Sequence, residues 1–585
     1  MRILGLVSAT HDSGLAILED GKPRLVLEEE RLNREKRTTA FPRQSVIEAF
    51  GAGGAGLRDI DVITTPWDQS RLRVNFGRVL LAGLPHSLNL LRKSSHTPQR
   101  NEIVRLNAVL SRRLRRITGE EFELPRIVPV GHHDAHAAAF FVSPFEEANI
   151  LVMDGFGDDA STSIYSGHGN RVERRWSEGI LDSLGLVYTF VTKYLGFKGF
   201  SDEGKVMALA ACGDDSYVAR FWDLIKLLDD GRYAVDMSYF NYGKYGELKP
   251  LTAKFYDVFG PARPPGGILE DRHLAVAYAL QAVTEGVVLH VVREMTSQRP
   301  CENLVLSGGV ALNCVANARI LEDTDVKRVW VPPCASDTGA PLGSALWHWH
   351  QTLGKPRGFE LTHAYYGLEY ADTQIAQALN EAGLESELLE EGELIERVAR
   401  DLADGKIVGW FQGRFEMGPR ALGNRSILAD PRKPEMRDIL NAKIKHREAF
   451  RPFAPSILED RATEFFDVLQ PDPFMTLAPR VQPDKQTKLP AAVHVDGTGR
   501  IQTVSREANR RYYDLIEAFG QLTGVPVLLN TSFNRQEPIV SRPSEAVSCY
   551  LRTGMDVLAI GNRYVTDRNA KAQDWAQRTF VRGPI

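Results

Sequence analysis

The chain has 585 residues, 43% of them apolar and 25% charged, with a formal net charge of −4. That length exceeds one ordinary hydrophobic core and predicts two or more domains, while the slight acidity excludes a surface built overall to hold tRNA or DNA. Five cysteines with no CxxC spacing exclude a disulfide frame or zinc ribbon and point to reduced thiols in a cytoplasm; with no basic leader and no apolar run of spanning length, no membrane is expected.

In chain order, residues 2–30 read as three strands separated by Gly- and Asp-containing turns, a hairpin pattern. Residues 149–175 repeat that plan, and a duplication predicts two related lobes facing each other across a cleft. The first turn of each lobe, His11-Asp12 and Asp154 to Asp158, falls at that cleft. Such turns either bring backbone N–H groups to phosphates or serve as ordinary hairpin turns. Residues 44–118 are expected to be helical. Within them Arg92 to Arg116 holds eight Lys or Arg against one Glu, the composition of a solvated helical insert.

Next comes His132-His133-Asp134-Ala135-His136. On a helix, His132 and His136 lie one turn apart and can share one metal; a metal-free histidine cluster is the alternative. Asp154, at the end of an apolar strand, and Asp337 would complete a borderline N/O donor set suited to iron(II), manganese or zinc. The aromatics between residues 180 and 260, among them Tyr188, Phe190, Tyr194, Tyr239, Phe240, Tyr242 and Tyr245, either wall an acceptor pocket or pack a helical subdomain. The strand NLVLS, the Gly308-Gly309 turn and the helix behind it form an anion-ready geometry. A second strand then delivers Asp337 to the same edge.

A linker is expected at residues 353–368, followed by an acidic helix over 387–404. Gln412 to Ser456 holds seven Arg and three Lys against five Asp or Glu, and its arginines alternate with Gly, Pro and apolar residues. That pattern suits a compact oxyanion held by guanidinium forks; pairing with Glu416, Asp430 and Glu448 is the structural alternative. Polar loops at 494–500 and 530–534 can add donors.

Eleven motifs in order, among them HDSGLA, HHDAHAAAF, DGFGD, SGGVALN, SDTGAPLGSAL, GRFEMGPRALGNRSILADPR, IKHREAFRPFAPS and NTSFN, closely resemble the O-carbamoyltransferase family of nodulation and antibiotic biosynthesis (NodU/CmcH type). The resemblance implies an α/β protein. Residues 1–360 would be an actin-like ATPase domain of duplicated type that transfers the carbamoyl group, and residues 361–585 a YrdC-like α/β domain that forms carbamoyl-adenylate from carbamoyl phosphate and ATP. It implies carbamoyl phosphate binding by Arg420, Lys445, Arg451, Arg500 and Ser532, with Met475 near the adenylate-forming site; Gly308, Gly309 and Asn313, on the strand–turn–helix unit above, are expected to face the nucleotide. The implied metal ligands are His132, His136, Asp154 and Asp337, around iron(II), with magnesium accompanying ATP. His11, Asp12 and Lys36 would face the transferred carbamoyl group. The acceptor would be a small hydroxylated metabolite, in antibiotic or other secondary metabolism. One motif departs from the family pattern, with His273 in place of an Asp before Leu274-Ala275. Two competing functions share the fold, a small-molecule kinase and a nucleotide-dependent binding protein.

Overall fold

The computed structural model describes residues 1–51, 53–91, 102–119 and 123–579. The chain divides into two compact units, Met1–Val26 with Arg37–Leu361, and Leu27–Lys36 with Thr362–Ile585.

The first unit is built on two five-stranded sheets. In one, β1 (Arg2–Val7), β2 (Gly14–Glu19), β3 (Lys22–Glu28), β4 (Val62–Thr65) and β5 (Arg126–Pro129) take the order β3-β2-β1-β4-β5. β1 runs antiparallel to β2 and parallel to β4, and β4 is parallel to β5. The other holds β6 (Glu147–Met153), β7 (Thr162–His168) and β8 (Arg171–Glu178). After a two-stranded ribbon, β9 (Ile225–Leu227) with β10 (Tyr233–Val235), the sheet is completed by β11 (Asn303–Ser307) and β12 (Arg328–Trp330). Its order is β12-β11-β6-β7-β8, again with an antiparallel hairpin on one side of its first strand and parallel strands on the other. The duplication read from residues 2–30 and 149–175 is therefore a repeated sheet topology.

Burial explains the strand sequences. β1 and β6 are buried at every residue after the first, as central strands covered on both faces must be, whereas edge strand β8 alternates exposed with partly shielded residues and buries only Val172. Residues 44–118, expected to be helical throughout, also contain β4, because the run Val62-Ile63-Thr64-Thr65 pairs with β1. Of the basic segment 92–116, residues 92–101 lie outside the described residues.

The helix Asp271–Gln298 amends another expectation, being long and apolar enough to cross a membrane; 72% of its most apolar window is buried inside the protein. His273 closes its first turn. The His273 Nδ1 accepts from the Glu270 N–H at 3.0 Å, so the residue that departs from the family motif serves as a cap.

Helix Ala340–Trp347 lies against both β1 and helix His132–Ala137. A Cβ at Gly343 would sit 2.0 Å from the Ala135 carbonyl oxygen, so only glycine permits this approach. These two helices position the His132/His136 pair and Asp337. Gly343→Ala is therefore expected to separate the histidines from Asp337 and weaken metal retention at least tenfold, on the scale of a lost supporting contact, checked by metal content after dialysis.

The second unit centres on an eight-stranded mixed sheet. Its strands are β13 (Glu387–Leu388), β14 (Val408–Phe411), β15 (Arg425–Ala429), β16 (Ala454–Leu458), β17 (Gln502–Val504), β18 (Val527–Ser532), β19 (Val557–Ile560) and β20 (Arg563–Val565), in the order β13-β20-β19-β14-β15-β18-β16-β17. Two-residue periodicity sorts its side chains into two cores. Val408, Trp410 and Leu428 join Leu394, Val398 and Phe519 from helices Glu391–Ala403 and Arg510–Thr523. Phe411, Ile427 and Ala429 join Ile375, Leu379 and Val547 from helices Asp372–Ala382 and Pro543–Arg552 on the other face.

Candidate functional site

Four side chains of the first unit converge. His132, His136, Asp154 and Asp337 each offer one ligand atom, all within 4.8 Å of one another. The Nε2 atoms of His132 and His136 lie 3.2 and 3.4 Å from Asp154 Oδ2, and each lies 3.4 Å from Asp337 Oδ1. Chain geometry explains the convergence. The histidines stand one turn apart on helix His132–Ala137, Asp154 ends β6, and Asp337 opens the turn before helix Ala340–Trp347.

The hydrogen bonds on the far side of each ring decide what the centre wants. His132 Nδ1 is 3.2 Å from the Pro66 carbonyl oxygen, which can only accept, so Nδ1 carries the proton. His136 Nδ1 is 3.3 Å from Ser307 Oγ, and that hydroxyl donates to the Ala335 carbonyl, so His136 also donates from Nδ1. Both Nε2 lone pairs then face carboxylate oxygens. Such an arrangement needs positive charge between the groups, either a proton on each ring or one metal ion. Without metal, the carboxylates raise both histidines despite the opposing effect of burial. His136 Nε2 and Asp337 Oδ1 have no hydrogen-bond partner, and the two Nδ1 bonds are the outer contacts that orient metal-bound histidines. The donor set therefore fits a divalent metal.

Asp154 is held from behind by the N–H groups of Gly155 and Gly309, at 2.8 and 3.2 Å to Oδ1. Gly308 has φ +89°, and a Cβ there would sit 2.2 Å from the Met153 carbonyl oxygen. The Gly308-Gly309 turn thus lies against Asp154. Asn313 caps helix Cys314–Asp323 and exchanges hydrogen bonds with Gln281, so its side chain is already committed.

His11 stands beside this centre, its Nδ1 3.1 Å from Asp12 Oδ2 and 3.9 Å from Asp337 Oδ2. Burial pushes the imidazole down, but Asp337 and Asp12 more than offset it, to about 9. Asp12 adopts the left-handed conformation, φ 64°, and Arg37 Nη1 donates to its Oδ2 at 2.9 Å. Arg37 escaped the sequence reading, which named its neighbour Lys36. Lys36 belongs to the second unit, where its charge bears on Lys445. Asp158 also went unassigned, although its carboxylate accepts from the backbone N–H of His132 at 3.0 Å and of Asp68 at 2.9 Å, anchoring the start of the histidine helix.

The aromatic stretch resolves toward packing. Tyr188, Phe190, Tyr194, Tyr239, Phe240 and Tyr242 are all buried, while Tyr245 is partly exposed. Rings meet rings, as where Phe190 lies 5.4 Å from Tyr242 and Tyr194 meets Phe255 edge-on at 5.2 Å. These six side chains build a core.

In the second unit the cations divide into two kinds. Arg425 is fully buried in β15. It donates to the carbonyls of Gln412, Asn424 and Gly413 at 2.6 to 3.1 Å and lies 3.6 Å over the Phe411 ring. That makes it structural, as Arg432 is through its pairing with Asp430. Glu416 is structural too, accepting the backbone N–H groups of Leu422, Asn424 and Arg425.

The second kind crowds together, Arg447 donating to Asn441 Oδ1 at 2.7 Å and to the Pro452 carbonyl at 3.2 Å. Burial, with Arg451 and Arg500 nearby, pushes Arg447 down to about 9, and Glu448 opposes this only as the smallest influence. Arg451 stays 3.8 Å from Glu448, and Arg500 Nε is buried without a partner. Lys445 Nζ is held by neutral oxygens of Ser532 and Asn534 at 2.5 to 3.2 Å. Burial, with Arg447 and Lys36 adding like charge, places its amine well below the ordinary lysine range. Arg447 was not singled out from sequence. Arg420 lies partly exposed on the same arginine-rich stretch. Met475, buried with φ 59°, sits in a turn that Asp472 ties through the N–H groups of Phe474, Thr476 and Leu477.

Comparison with known proteins fits these two centres into one family. Residues 2–346 match the model described as carbamoyltransferase N-terminus, and residues 399–567 the model described as carbamoyltransferase C-terminus. An uncharacterized protein of Synechocystis sp. is 39% identical over 98% of this chain and 97% of its own. Nodulation protein NolNO of Sinorhizobium fredii is 38% identical over 97% of this chain and 80% of its own, and nodulation protein U of the same species is 30% identical over 91% and 94%. The chain belongs to the carbamoyltransferase family and is a transferase of that class.

Proposed function

We propose that this protein is an ATP-dependent O-carbamoyltransferase acting on a hydroxylated small molecule in the cytoplasm. The observation that carries this reading is the crowding of Arg447, Arg500 and Lys445, where burial and neighbouring cations hold Arg447 and Lys445 below their ordinary ranges and leave Arg500 Nε buried without a partner. Such a set is stabilised by a compact dianion, which the phosphate of carbamoyl phosphate supplies. All five cysteines are free, in keeping with reducing surroundings.

The atoms balance in two stages. Carbamoyl phosphate and water give carbamate and phosphate. A carbamate oxygen then attacks the α-phosphorus of ATP, pyrophosphate leaves, and carbamoyl-adenylate remains. In the second stage the acceptor oxygen bonds to the carbamoyl carbon, AMP leaves, and the hydroxyl proton passes to a base. His11 Nε2 is the base we assign, because Asp12 at 3.1 Å holds the Nδ1 side of the ring, and a metal bound to Asp337 would neutralise the carboxylate that most raises the imidazole, leaving Nε2 free to accept. Arg37 in turn fixes the Asp12 carboxylate. His132, His136, Asp154 and Asp337 would hold a divalent metal, iron(II) by family resemblance, which when bound polarises a carbonyl as a Lewis acid.

His11→Asn keeps a polar side chain at this position but removes the base. The expected result is loss of carbamoyl transfer by roughly 100-fold or more with carbamoyl-adenylate still forming. Normal transfer by that variant removes His11 from the role. Nucleotide products separate this reading from a kinase of the same fold, since transfer yields AMP and pyrophosphate whereas a kinase yields ADP.

A further inference from the structure

Among the described residues, the first unit carries an apolar strip that packing leaves open. Helix Gln69–Ala82 buries none of its side chains, and Val74 and Leu81, two turns apart on one face, are 55% and 72% exposed. The strip continues through Leu84 into the 3-10 helix His86–Leu91, where Leu88 and Leu91, both 53% exposed, are superposed by the three-residue repeat. Five exposed large apolar side chains thus fall between residues 74 and 91, a clustering that scattered surface leucines do not produce.

Charge identifies what covers the strip. The described residues 69–91 and 102–118 hold eight arginines and one carboxylate, Glu102, a net +7 in a chain whose total is −4. Arg71 is spent on Asp134 at 2.8 Å and Arg113 on Glu102 at 3.3 Å. Arg73 and Arg78 are exposed beside Val74, and Arg112, Arg115 and Arg116 line the outer side of helix Leu106–Thr118, which turns Leu106, Val109, Leu110 and Leu114 inward. The two helices are tied together by Gln69 Nε2 donating to Asn107 Oδ1 at 2.9 Å and Arg73 donating to the Val104 carbonyl at 3.0 Å. A second copy meeting this face symmetrically would set arginine against arginine. A nucleic acid has no use for the leucines.

We infer that this insert docks the protein onto an anionic phospholipid surface, with the leucines entering the headgroup boundary and the arginines paired with lipid phosphates. The helix Asp271–Gln298 takes no part, since it is committed to the core. The contact goes beyond the transfer reaction, and it would hold the protein at an anionic membrane surface.

Sedimentation of the full chain with vesicles of equal parts phosphatidylglycerol and phosphatidylcholine, against phosphatidylcholine alone, tests this. The expected result is at least tenfold tighter binding to the anionic vesicles, weakening as salt rises. The pair Leu81→Glu and Leu88→Glu should reduce that binding about tenfold or more at unchanged melting temperature, because both side chains are exposed. Arg112→Glu with Arg116→Glu should lower it by a similar factor, each cation counting about fivefold near such a surface. Equal binding to both vesicle types, or no binding to the anionic ones, overturns the inference. So does a dimer in solution that Leu81→Glu with Leu88→Glu dissociates, which would assign the strip to a second copy.

Discussion

Replacing His132 with alanine is expected to lower carbamoyl transfer by roughly three orders of magnitude while pyrophosphate release from ATP continues. The size follows from losing a metal that contributes several kcal/mol of charge stabilisation, at about 1.4 kcal/mol per tenfold. The separation of the two effects follows from where the residues stand. His132 belongs to the unit of residues 1–26 and 37–361, and the crowded arginines belong to the other. Ser307→Ala offers a graded comparison. It removes the hydroxyl 3.3 Å from His136 Nδ1 and leaves all four donors, so metal affinity should fall only about 10- to 100-fold. Bound metal by elemental analysis and transfer by product mass should decline in the same order across the two variants. A His132→Ala protein that keeps full metal content would show that His132 is not a metal ligand.

Arg500→Met should raise the KM for carbamoyl phosphate by about 10- to 100-fold, the range of a lost charge-assisted hydrogen bond, without lowering the melting temperature. The absence of a stability cost is the informative part. In the free protein Arg500 repels Arg447 and helps push it down to about 9, so removing it relieves strain that exists for the ligand. Arg425→Met is the contrast. That guanidinium satisfies backbone carbonyls in the core of β15, and its loss should cost about 3 kcal/mol of stability. If Arg500→Met instead destabilises the protein as Arg425→Met does and leaves the KM alone, the arginine cluster is structural throughout.

These two arginines also mark how far the sequence could be read. Both stand in polar, glycine-bearing surroundings, and residue type gives them equal claims on an anion. What separates them is that Arg425 lies on a strand whose neighbours bury it under Phe411 and the Gln412 carbonyl, a fact of tertiary packing. The two-histidine, two-carboxylate cluster was legible because helix spacing sets His132 against His136 and because strand ends deliver Asp154 and Asp337. The repeated hairpins were legible for the same reason, since alternation and turn residues are local signals. Lys36 and Arg37 were not separable. Arg34 and Arg37 both take left-handed backbone conformations, φ 65° and 54°, and the turn they make sends adjacent residues into different units. The aromatic stretch was ambiguous because a ring that fills a core and a ring that walls a pocket have the same composition, and only burial of Tyr194 and Phe240 assigns them.

The most direct test of the proposed function omits the acceptor. Purified protein is incubated with iron(II), magnesium, ATP and carbamoyl phosphate and analysed by mass spectrometry. Carbamoyl-adenylate together with pyrophosphate is the expected result, because the arginine cluster and Lys445 need only the donor substrates to complete their charge. Binding of ATP without either product, or release of ADP in their place, would contradict the two-stage mechanism.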